Sequence, residues 1–538
     1  MIFINIIYNQ IDHLNMKKKN CLFSLTVLVC MMMAVMPSAS AQTGIILPDV
    51  NVDGNANVGD VTGLIDYLLN SNGSATWSNQ RLSAYDFGAV GDGVTDDTNA
   101  LEALFAKAAE LHMAVYIPSG TYMIRRPLTI KSGMEIYGDG NNSSIIKKFP
   151  AAWHKLTDAI STGVYNNDEF HTITLKVDGI SGYHVGDHCF ISYSNNPFQP
   201  QNTKARYCSY GEIYEINETP IIENGVEKYE VKFKSAFDSE KHGVVYSHPV
   251  GAVLSTSFPI LRSWAFKDEC INVFVHDICL DGNRQTNGPV YNNVTYEPME
   301  WANGCIHFDA YGTSKVNGIS YNNHSYNHVL LRCKFVNSSY DGISDQGEGG
   351  LYVKDCVIEN SAMHGVHMGT VFNGGMITGN TMTGNTVRGA GVFFCQDVTN
   401  VIIEGNTISS FHRGCSDEEY STVGKFNIIR NNNFNNITNY VFDFMKSGSS
   451  RHGGGLLITE NKINGLKNTM FSGNYLEDVI ISKNQIETVT VAPSTLITSN
   501  YSNGLIIVGN TLPSGVSISK PVTANNTTNM VNASNSWN

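Results

Sequence analysis

The sequence is poor in charged side chains and in long hydrophobic runs. Asp, Glu, Lys and Arg make up 15% of its 538 residues, and 48 acidic against 35 basic side chains give a formal net charge of -13. Nucleic-acid binding needs a basic surface, so this balance argues against nucleic acid as a partner. After Met36 no run is apolar and long enough to cross a membrane. A local basic groove that binds an anionic sugar polymer remains compatible with the composition.

The cysteines do not form an obvious disulfide framework. Eleven are present, and Cys21 and Cys30 fall in the N-terminal segment, which leaves an odd number. Three of the others recur at one position of a repeat. These features favour buried reduced thiols, even in an exported protein.

Long stretches with a helical period of 3.6 residues are absent between about Gly304 and Gly515. One sequence motif recurs there: an aliphatic pair, two or three variable residues, an Asn, one further variable residue and an apolar residue. The in-register Asn residues, 23 to 29 residues apart, are Asn380, Asn406, Asn432, Asn461, Asn484 and Asn510. Upstream the same position holds Cys279, Cys333 and Cys356. A repeat of this length indicates a solenoid.

Each repeat is rich in Val, Ile, Thr, Phe and Asn, with Gly at the corners, which favours strands and tight turns over paired helices. Such coils bury their aliphatic side chains only by stacking on their neighbours. An Asn at an inward bend can hydrogen-bond the backbone of adjacent coils. The sequence therefore predicts an all-β fold, a right-handed parallel β-helix over residues 82–525, followed by a polar tail at 526–538.

The N-terminal segment has the pattern of a secretory signal. A basic head at Met16–Lys19 precedes an apolar stretch from Leu22 to Met36 and the small residues Ala39–Ala41. We expect residues 1–41 to be a signal peptide, with Met16 as a possible true start. The mature protein is then secreted, periplasmic or displayed at the cell surface.

A candidate Ca²⁺ loop follows the signal. Oxygen-bearing side chains recur around a sharp Gly turn, at Asp49, Asn51, Asp53, Asn57 and Asp60. Ca²⁺ requires six or more oxygen ligands, and this spacing supplies them. With the amphipathic helix at 61–69, the loop resembles one half of a dockerin repeat. Residues 42–72 are expected to be a calcium-stabilised N-terminal cap or to dock a cohesin-like partner, and 73–81 to be a linker.

The main domain opens with a run of turn residues from Tyr85 to Thr98, an alanine-rich helix to about His112, and the segments 115–122 and 135–140. This succession resembles the start of the pectate lyase superfamily of right-handed β-helix proteins. The resemblance implies an N-terminal helix that caps the solenoid. Lyases, hydrolases, epimerases and phage tailspikes share the fold, so it does not specify an activity.

Residues 170–261 depart from the repeat. Apolar and polar residues alternate there between Gly-Asp and Asn-Gly turns, as in Tyr229–Phe233. This pattern predicts an antiparallel β insertion that leaves the solenoid at an early coil.

A polar residue before a Gly recurs at one bend of successive coils. Aligning these dipeptides places Asp341, His364, Arg388 and Arg413 along one edge at a spacing of about 4.8 Å. Strand alternation turns His367 outward, and His307 joins this outward set in an earlier coil. These ionisable residues predict a polar groove.

This groove has the groups that a β-elimination at a uronic acid requires. Arg388 and Arg413 are candidates to neutralise the C5 carboxylate. His364 or His367 is the candidate base, and Tyr340 or the other histidine the candidate acid, because histidine titrates near neutrality. Asp341 is expected either to orient a histidine of the adjacent coil or to share a bound cation with Asp345 and Glu348. The expected substrate-binding residues are His307, Asp309, Asp345, Glu348 and His412.

The sequence leaves two other functions open. An inverting glycoside hydrolase would use paired carboxylates from Asp341, Asp345 and Glu348. However, the polygalacturonase-like signatures are not intact. A non-catalytic carbohydrate-binding solenoid would use aromatic platforms such as Phe393, Phe394 and Tyr420. We favour a lyase acting on a chondroitin-type glycosaminoglycan over one acting on a pectin-like polymer, because His and Arg dominate the groove. The one predicted cofactor is Ca²⁺ in the N-terminal loop.

Overall fold

The structure, a computed structural model, describes residues 80–161, 172–192, 209–235, 247–263, 269–286, 304–308, 324–370, 372–385, 389–396, 398–417, 426–444 and 453–537, and a few residues between 288 and 320. The predicted signal peptide and calcium loop, with Asp49, Asn51, Asp53, Asn57 and Asp60, lie outside these described residues. Residues 81–538 form one compact unit. No helix of the described part combines the length and apolarity needed to span a bilayer.

Three parallel sheets run along this unit, and each full turn of the chain adds one strand to each sheet. The first sheet contains Arg81–Ser83, Ala114–Ile117, Glu135–Gly138, Phe274–His276, Val329–Leu331, Leu351–Lys354, Asn373–Thr378, Thr399–Glu404, Ile428–Arg430, Gly453–Gly454, Leu457–Thr459, Leu476–Ser482, Asn503–Val508 and Val531–Ala533. The second contains Asp92–Asp96, Gly120–Ile124, Ser144–Lys148, Cys279–Asp281, Lys334–Val336, Val357–Glu359, Thr381–Thr383, Thr407–Ser409, Asn433–Asn435, Lys462–Asn464 and Gln485–Ile486. The third contains Leu128–Thr129, Leu261–Arg262, Ile306–Phe308, Ile343–Asp345, Val366–Thr370, Ala390–Gln396, Arg413–Asp417, Phe442–Phe444, Phe471–Asn474, Ile497–Asn500 and Val522–Asn525. This solenoid of about 13 turns confirms the predicted parallel β-helix.

Two helices, three small strand pairs and the β insertion lie outside these three sheets in the described part of the chain. A 3₁₀ helix at Ala84–Phe87 precedes the α-helix Thr98–Leu111. Three small strand pairs are Cys270–Ile271 with Ser325–Tyr326, Val290–Tyr291 with Val294–Thr295, and Lys315–Val316 with Ile319–Ser320. The α-helix buries Leu101, Leu104, Phe105 and Ala108 in the solenoid core, as predicted for a capping helix. Opening-motif residue Asp97 has a structural role, because its carboxylate accepts the N–H groups of Val90 and Gly91.

The recurring Asn lies at the corner between the first and second sheets. Its Nδ2 donates to a backbone carbonyl of the preceding coil, and its Oδ1 accepts from the Asn of that coil. Asn406, for example, donates to Ile377 O at 2.8 Å and to Asn432 Oδ1 at 2.9 Å. The residue before each Asn adopts a positive φ, for example 54° at Asn431 and 66° at Gly405. This left-handed residue makes the two-residue corner that turns the amide inward.

Cys333 and Cys356, in the coils before this Asn ladder, occupy the same corner position and make similar but weaker hydrogen bonds. The Cys356 thiol donates to Leu330 O at 3.5 Å and accepts the Cys333 N–H at 3.3 Å. The predicted place of Cys279 in the ladder was wrong. Ile278 follows the left-handed residue there, and Cys279 begins the strand of the second sheet. The eight described cysteines are buried thiols, as predicted.

We predict that Cys356→Asn stabilises the protein. An amide at this position would replace two weak thiol hydrogen bonds with stronger ones and extend the ladder by one coil, which is worth about 1 kcal/mol in the free energy of unfolding. Chemical denaturation measures the gain. Cys279→Asn is the matched control and should lose stability, because it buries an amide outside the ladder. A loss of stability in Cys356→Asn would show that the corner cannot accommodate the larger side chain.

The aliphatic pairs place one residue on each side of the first sheet. In the pair Ile402-Ile403 the second residue is in the core, and the register continues through Ile429. The first residue faces outward, and its counterparts Ile480 and Ile506 are 37% and 36% exposed. The pair therefore forms both the inner wall and an apolar column on the outside.

The β insertion is a separate seven-stranded antiparallel sheet. Its strands are Trp153–Lys155, Thr172–Val177, His188–Ile191, Ser209–Ile216, Ile221–Glu223, Val226–Ser235 and Val253–Ser255. It has its own core around Leu175, Ile213 and Phe233. The sheet begins at Trp153, earlier than the boundary predicted near residue 170. At the other end of the chain, the residues predicted as a polar tail continue the solenoid, because Val531–Ala533 adds a strand to the first sheet.

Candidate active site

Two rows of side chains occupy the outer face of the third sheet. The bend row consists of one residue at the bend that leads into each strand. The strand row consists of the outward residue three positions later, within the strand. Backbone register defines the bend row as Asp341, His364, Ala390 and Arg413. It defines the strand row as Arg262, His307, Ser344, His367, Phe393, Ser416, Asp443 and Ser472.

A glycine after each bend residue turns that residue outward. A Cβ at Gly391 would lie 2.4 Å from Ile408 Cγ2, and one at Gly365 would lie 2.6 Å from Gly391 O. The glycine therefore faces the crowded interior, where no side chain fits. The residue before it must take the outer face, which explains the recurring dipeptide of polar residue and Gly.

Asp341 and His367 form a buried pair that links two successive coils. His367 Nδ1 lies 2.8 Å from Asp341 Oδ2, and the two side chains are 3% and 0% exposed. Burial lowers the pKa of an imidazole, but the Asp341 carboxylate, with a smaller contribution from the Cys395 thiol, outweighs it and raises the pKa of His367 to about 10. His367 Nε2 makes no hydrogen bond of normal geometry to a described residue, although the Cys395 thiol lies close to the ring. The prediction that Asp341 orients a histidine of the adjacent coil matches this geometry.

His364 lies beside this pair in a different chemical state. Its Nδ1 accepts the Ala390 N–H at 3.0 Å, and its backbone N–H donates to Asp341 Oδ1 at 3.1 Å. Its ring stacks on Phe393 with centroids 3.9 Å apart, and it meets the His367 ring edge-on at 5.4 Å. Burial, together with the positive charges of His367 and Arg413, lowers the pKa of His364 to about 3. The ring is therefore neutral at physiological pH.

Asp341, His364 and His367 are close enough to be considered as a metal site, since one ligand atom of each lies within 4.8 Å of the others. The hydrogen bonding does not fit that role. A histidine that ligates a metal through one nitrogen usually donates the N–H of its other nitrogen to an acceptor. His364 Nδ1 instead accepts the Ala390 N–H. The cluster fits proton transfer better than metal binding.

Arg413 is paired with a carboxylate that the sequence analysis did not single out. Its Nε lies 2.7 Å from Asp443 Oδ2, and its side chain is 32% exposed. This pair links two coils with the same diagonal geometry as Asp341 and His367. The alternation Phe442-Asp443-Phe444, with both phenylalanines in the core, was the available signal for an outward Asp443.

The predicted position of Arg388 in the bend row was wrong. Ala390 pairs with Arg413 and occupies the slot between His364 and Arg413, while Arg388 lies outside the described residues. Two glycines flank Ala390, and the prediction chose Gly389 as the bend glycine. In the structure Gly391 faces the interior, whereas Gly389 has a left-handed φ of 74°.

Other predicted site residues lie away from the His367 pair. Asp345 has the core residues Phe308 and Met368 as its strand neighbours, so it occupies an interior position. Glu348 lies beyond the end of that strand and pairs with His324 at 2.8 Å. The predicted cation shared by Asp341, Asp345 and Glu348 is therefore contradicted.

Three further predicted site residues, His412, His307 and Tyr340, lie within the described part of the chain. His412 precedes Arg413 and packs against Asn439, with His412 Nε2 and Asn439 Nδ2 3.2 Å apart, rather than joining the pair. His307 lies in the strand row but is only 1% exposed, and Tyr340 is buried beside Asp341. Asp309 lies outside the described residues.

The buried carboxyl of Asp345 should make the free energy of unfolding of the protein depend on pH. Burial raises its pKa to about 7, and Oδ2 makes no hydrogen bond to a described residue, although Oδ1 accepts the Gly347 N–H at 2.8 Å. In the unfolded chain the carboxyl has a pKa of about 3.9. Between these values the folded state holds a proton that the unfolded state releases, so stability falls as pH rises from about 4 to about 7.

The variant Asp345→Asn removes this titration and keeps the acceptor for Gly347. Relative to the parent protein, it should gain a few kcal/mol of unfolding free energy between pH 4 and pH 8. Urea denaturation at both pH values measures the change. Exposed Glu110→Gln is the control and should show no such trend. An equal difference at both pH values would contradict the interior placement of a protonated carboxyl.

Two family models match the chain. The model described as "Rhamnogalacturonase A/epimerase, pectate lyase-like" matches residues 82–181, and that described as "Right handed beta helix region" matches residues 317–512. The first covers the opening motif and capping helix. The second covers the coils that carry the Asn ladder and the bend row.

The similar proteins include carbohydrate-active enzymes. Alginate lyase 7 of Azotobacter vinelandii is 29% identical over 189 residues, which cover 32% of this chain and 21% of that protein. Mannuronan C5-epimerase AlgE2 of the same organism is 36% identical over 104 residues, covering 18% and 10%. The solved A-module of its mannuronan C-5 epimerase AlgE6 is 15% identical, with 84% and 99% covered and a TM-score of 0.41.

The chain spans about a fifth or less of the length of these curated relatives. The two model matches agree with the three parallel sheets and with the helix that caps their first coils. The chain therefore has the right-handed parallel β-helix fold, and its residues 82–181 match a pectate-lyase-like family model.

Proposed function

We propose that the protein is an exported enzyme that cleaves a uronic-acid polysaccharide by β-elimination. The observation that carries this proposal is the pair of Asp341 and His367, in which a buried carboxylate holds one ring nitrogen while the other makes no hydrogen bond of normal geometry to a described residue. The similarity to an alginate lyase and to a mannuronan C5-epimerase supports a uronate polymer as substrate.

In this reaction neutral His367 takes the C5 proton of the uronate at Nε2, while Nδ1–H donates to Asp341. The electron pair left at C5 forms the C4–C5 double bond as the C4–O bond breaks. The imidazolium returns its proton to the departing oxygen. Because the pKa of His367 is about 10, the neutral base becomes more abundant as pH rises, and the rate should increase from neutral towards alkaline pH.

Paired-carboxylate hydrolysis is less well supported. An inverting pair lies about 6.5–9.5 Å apart. The described carboxylates on the outer face of the third sheet include Asp341 and Asp443, which are separated by four coils, or roughly 19 Å at the spacing of parallel strands. Asp345 and Glu348, the predicted partners, lie elsewhere.

A binding solenoid with aromatic platforms is also less well supported. Phe393 is 9% exposed and covered by the His364 ring, and Phe394 belongs to the core. Tyr420 lies outside the described residues. The two predicted platforms that the structure describes therefore offer no open ring face for a sugar.

An absorbance assay tests the proposal. Purified protein is incubated with alginate, chondroitin, hyaluronan and polygalacturonate between pH 6 and 10. We expect at least one polymer to yield the ultraviolet absorbance of an unsaturated uronate, increasing with pH. New reducing ends without that absorbance would indicate a hydrolase, and no cleavage of any polymer would overturn the proposal.

A further inference from the structure

The proposed reaction needs a group that holds the uronate carboxylate as negative charge builds up on it. Neither of the two arginines predicted for this role presents an uncompensated positive charge in the described part of the site. Arg413 is already paired with Asp443 at 2.7 Å, and the slot assigned to Arg388 holds Ala390. The adjacent group with suitable chemistry is His364.

The backbone determines which nitrogen of His364 carries the proton. The Ala390 N–H can only donate, so His364 Nδ1, 3.0 Å away, must be the acceptor. In a neutral imidazole with an acceptor at Nδ1, the proton lies on Nε2. Stacking on Phe393, at 3.9 Å and with an interplanar angle of 11°, fixes the plane of the ring.

The groups around His364 keep it neutral. It is buried, and the titratable or charged side chains that act on it are Asp341, His367 and Arg413. Burial is the main effect that disfavours the charged ring; the Asp341 carboxylate opposes it, and the positive charges of His367 and Arg413 add to it. A second imidazolium beside His367 would be destabilised by like-charge repulsion.

We infer that His364 is a neutral hydrogen-bond donor whose Nε2–H binds the substrate carboxylate, while His367 alone moves the proton. This inference rests on the proposed function. The hydrogen bond of the His364 ring to a described residue is at Nδ1, and the residue is 6% exposed against 2% for His367. A neutral donor in a buried site stabilises developing negative charge without losing its own proton.

Amide substitutions separate a donor from a base. The amide nitrogen of Gln reaches approximately the position of imidazole Nε2, whereas that of Asn reaches approximately the position of Nδ1. His364→Gln should keep activity within about 10-fold of the parent, and His364→Asn and His364→Ala should lose about 10²–10³-fold. If His364 were the base, Gln would be as inactive as Ala, which would overturn the inference while the proposed function stood.

Imidazole ¹⁵N NMR provides a readout that does not depend on activity. The His364 signals, assigned by their loss in His364→Gln, should show protonated Nε2 and unprotonated Nδ1, with no titration from pH 5 to pH 9. A titrating ring or a proton on Nδ1 overturns the inference even if the variants are impaired. If the parent protein cleaves no uronate polymer, both the proposed function and the carboxylate-binding role are overturned.

Discussion

His367→Asn should lower the rate of uronate cleavage by about 10²–10⁴-fold, the usual contribution of a positioned acid or base. The Asn amide can still donate to Asp341 in place of the Nδ1–H, so the buried carboxylate keeps a partner. The variant has no group at the position of Nε2 that can carry the proton. Initial rates on the cleaved polymer, with circular dichroism to confirm folding, measure the effect.

A matched control lies on the first sheet. His276 Nδ1 is 2.8 Å from Asp277 Oδ2, the same distance as in the His367 pair, and its ring stacks on Tyr137. His276→Asn should alter stability in a similar way and leave the rate unchanged. Equal losses of rate in both variants would mean that the His367 effect is structural.

The pH dependence of the remaining activity checks the role of Asp341. The carboxylate raises the pKa of His367, so Asp341→Asn removes that effect and leaves burial, which lowers the pKa. The alkaline rise in rate should therefore move to lower pH in Asp341→Asn, with a lower maximum. An unchanged pH profile would exclude His367 as the titrating base.

Asn432→Ala should lower the free energy of unfolding by about 3–5 kcal/mol. Asn432 Oδ1 accepts the backbone N–H and the Nδ2 of Asn406, at 3.0 and 2.9 Å. Its Nδ2 donates to Ile403 O at 2.9 Å and to Asn461 Oδ1 at 3.0 Å. The truncation leaves buried donors and acceptors of three coils unpaired, where water cannot replace the lost partner. Equilibrium denaturation measures the loss.

Asn435→Ala is the control for this prediction. Asn435 belongs to the same coil but lies half-buried on the outer face of the second sheet, where its Nδ2 donates to Ser409 Oγ at 3.3 Å and its Oδ1 accepts from Asn464 Nδ2 at 3.2 Å. Its removal should cost less than about 1 kcal/mol, because water can reach the two partners on this face. Similar losses in both variants would mean that the ladder contributes no more than a surface amide pair.

The spacing of the Asn residues was sufficient to predict the solenoid, because the ladder is a consequence of the repeat itself. Each Asn hydrogen-bonds the corner of the next coil. The spacing of the Asn residues along the chain therefore determines which residues of successive coils stack on one another. The bend glycines Gly342, Gly365 and Gly414 likewise indicated an outward residue before them. These glycines therefore predict that Asp341, His364 and Arg413 lie in one row.

Two predictions about the candidate site were wrong, the position of Arg388 in the bend row and the outward orientation of Asp345. Gly389 and Gly391 flank Ala390, and only the packing against Ile408 decides which glycine faces the interior. Asp345 looks polar and available in the sequence, but its position in the strand continues the inner row of Phe308 and Met368. Strand alternation from the core residue Ile343 already indicates that Asp345 faces inward, and its polarity alone had suggested the outer face.

By itself, the sequence determined that the chain forms stacked coils and which face of the third sheet collects the ionisable residues, because both follow from a repeat that is local in the chain. Only the tertiary structure decided which of those residues meet. The contact between Asp341 and His367, and the Ala390 N–H that holds His364 as a neutral donor, join different coils. Their chemistry depends on distances and burial that arise when the coils stack.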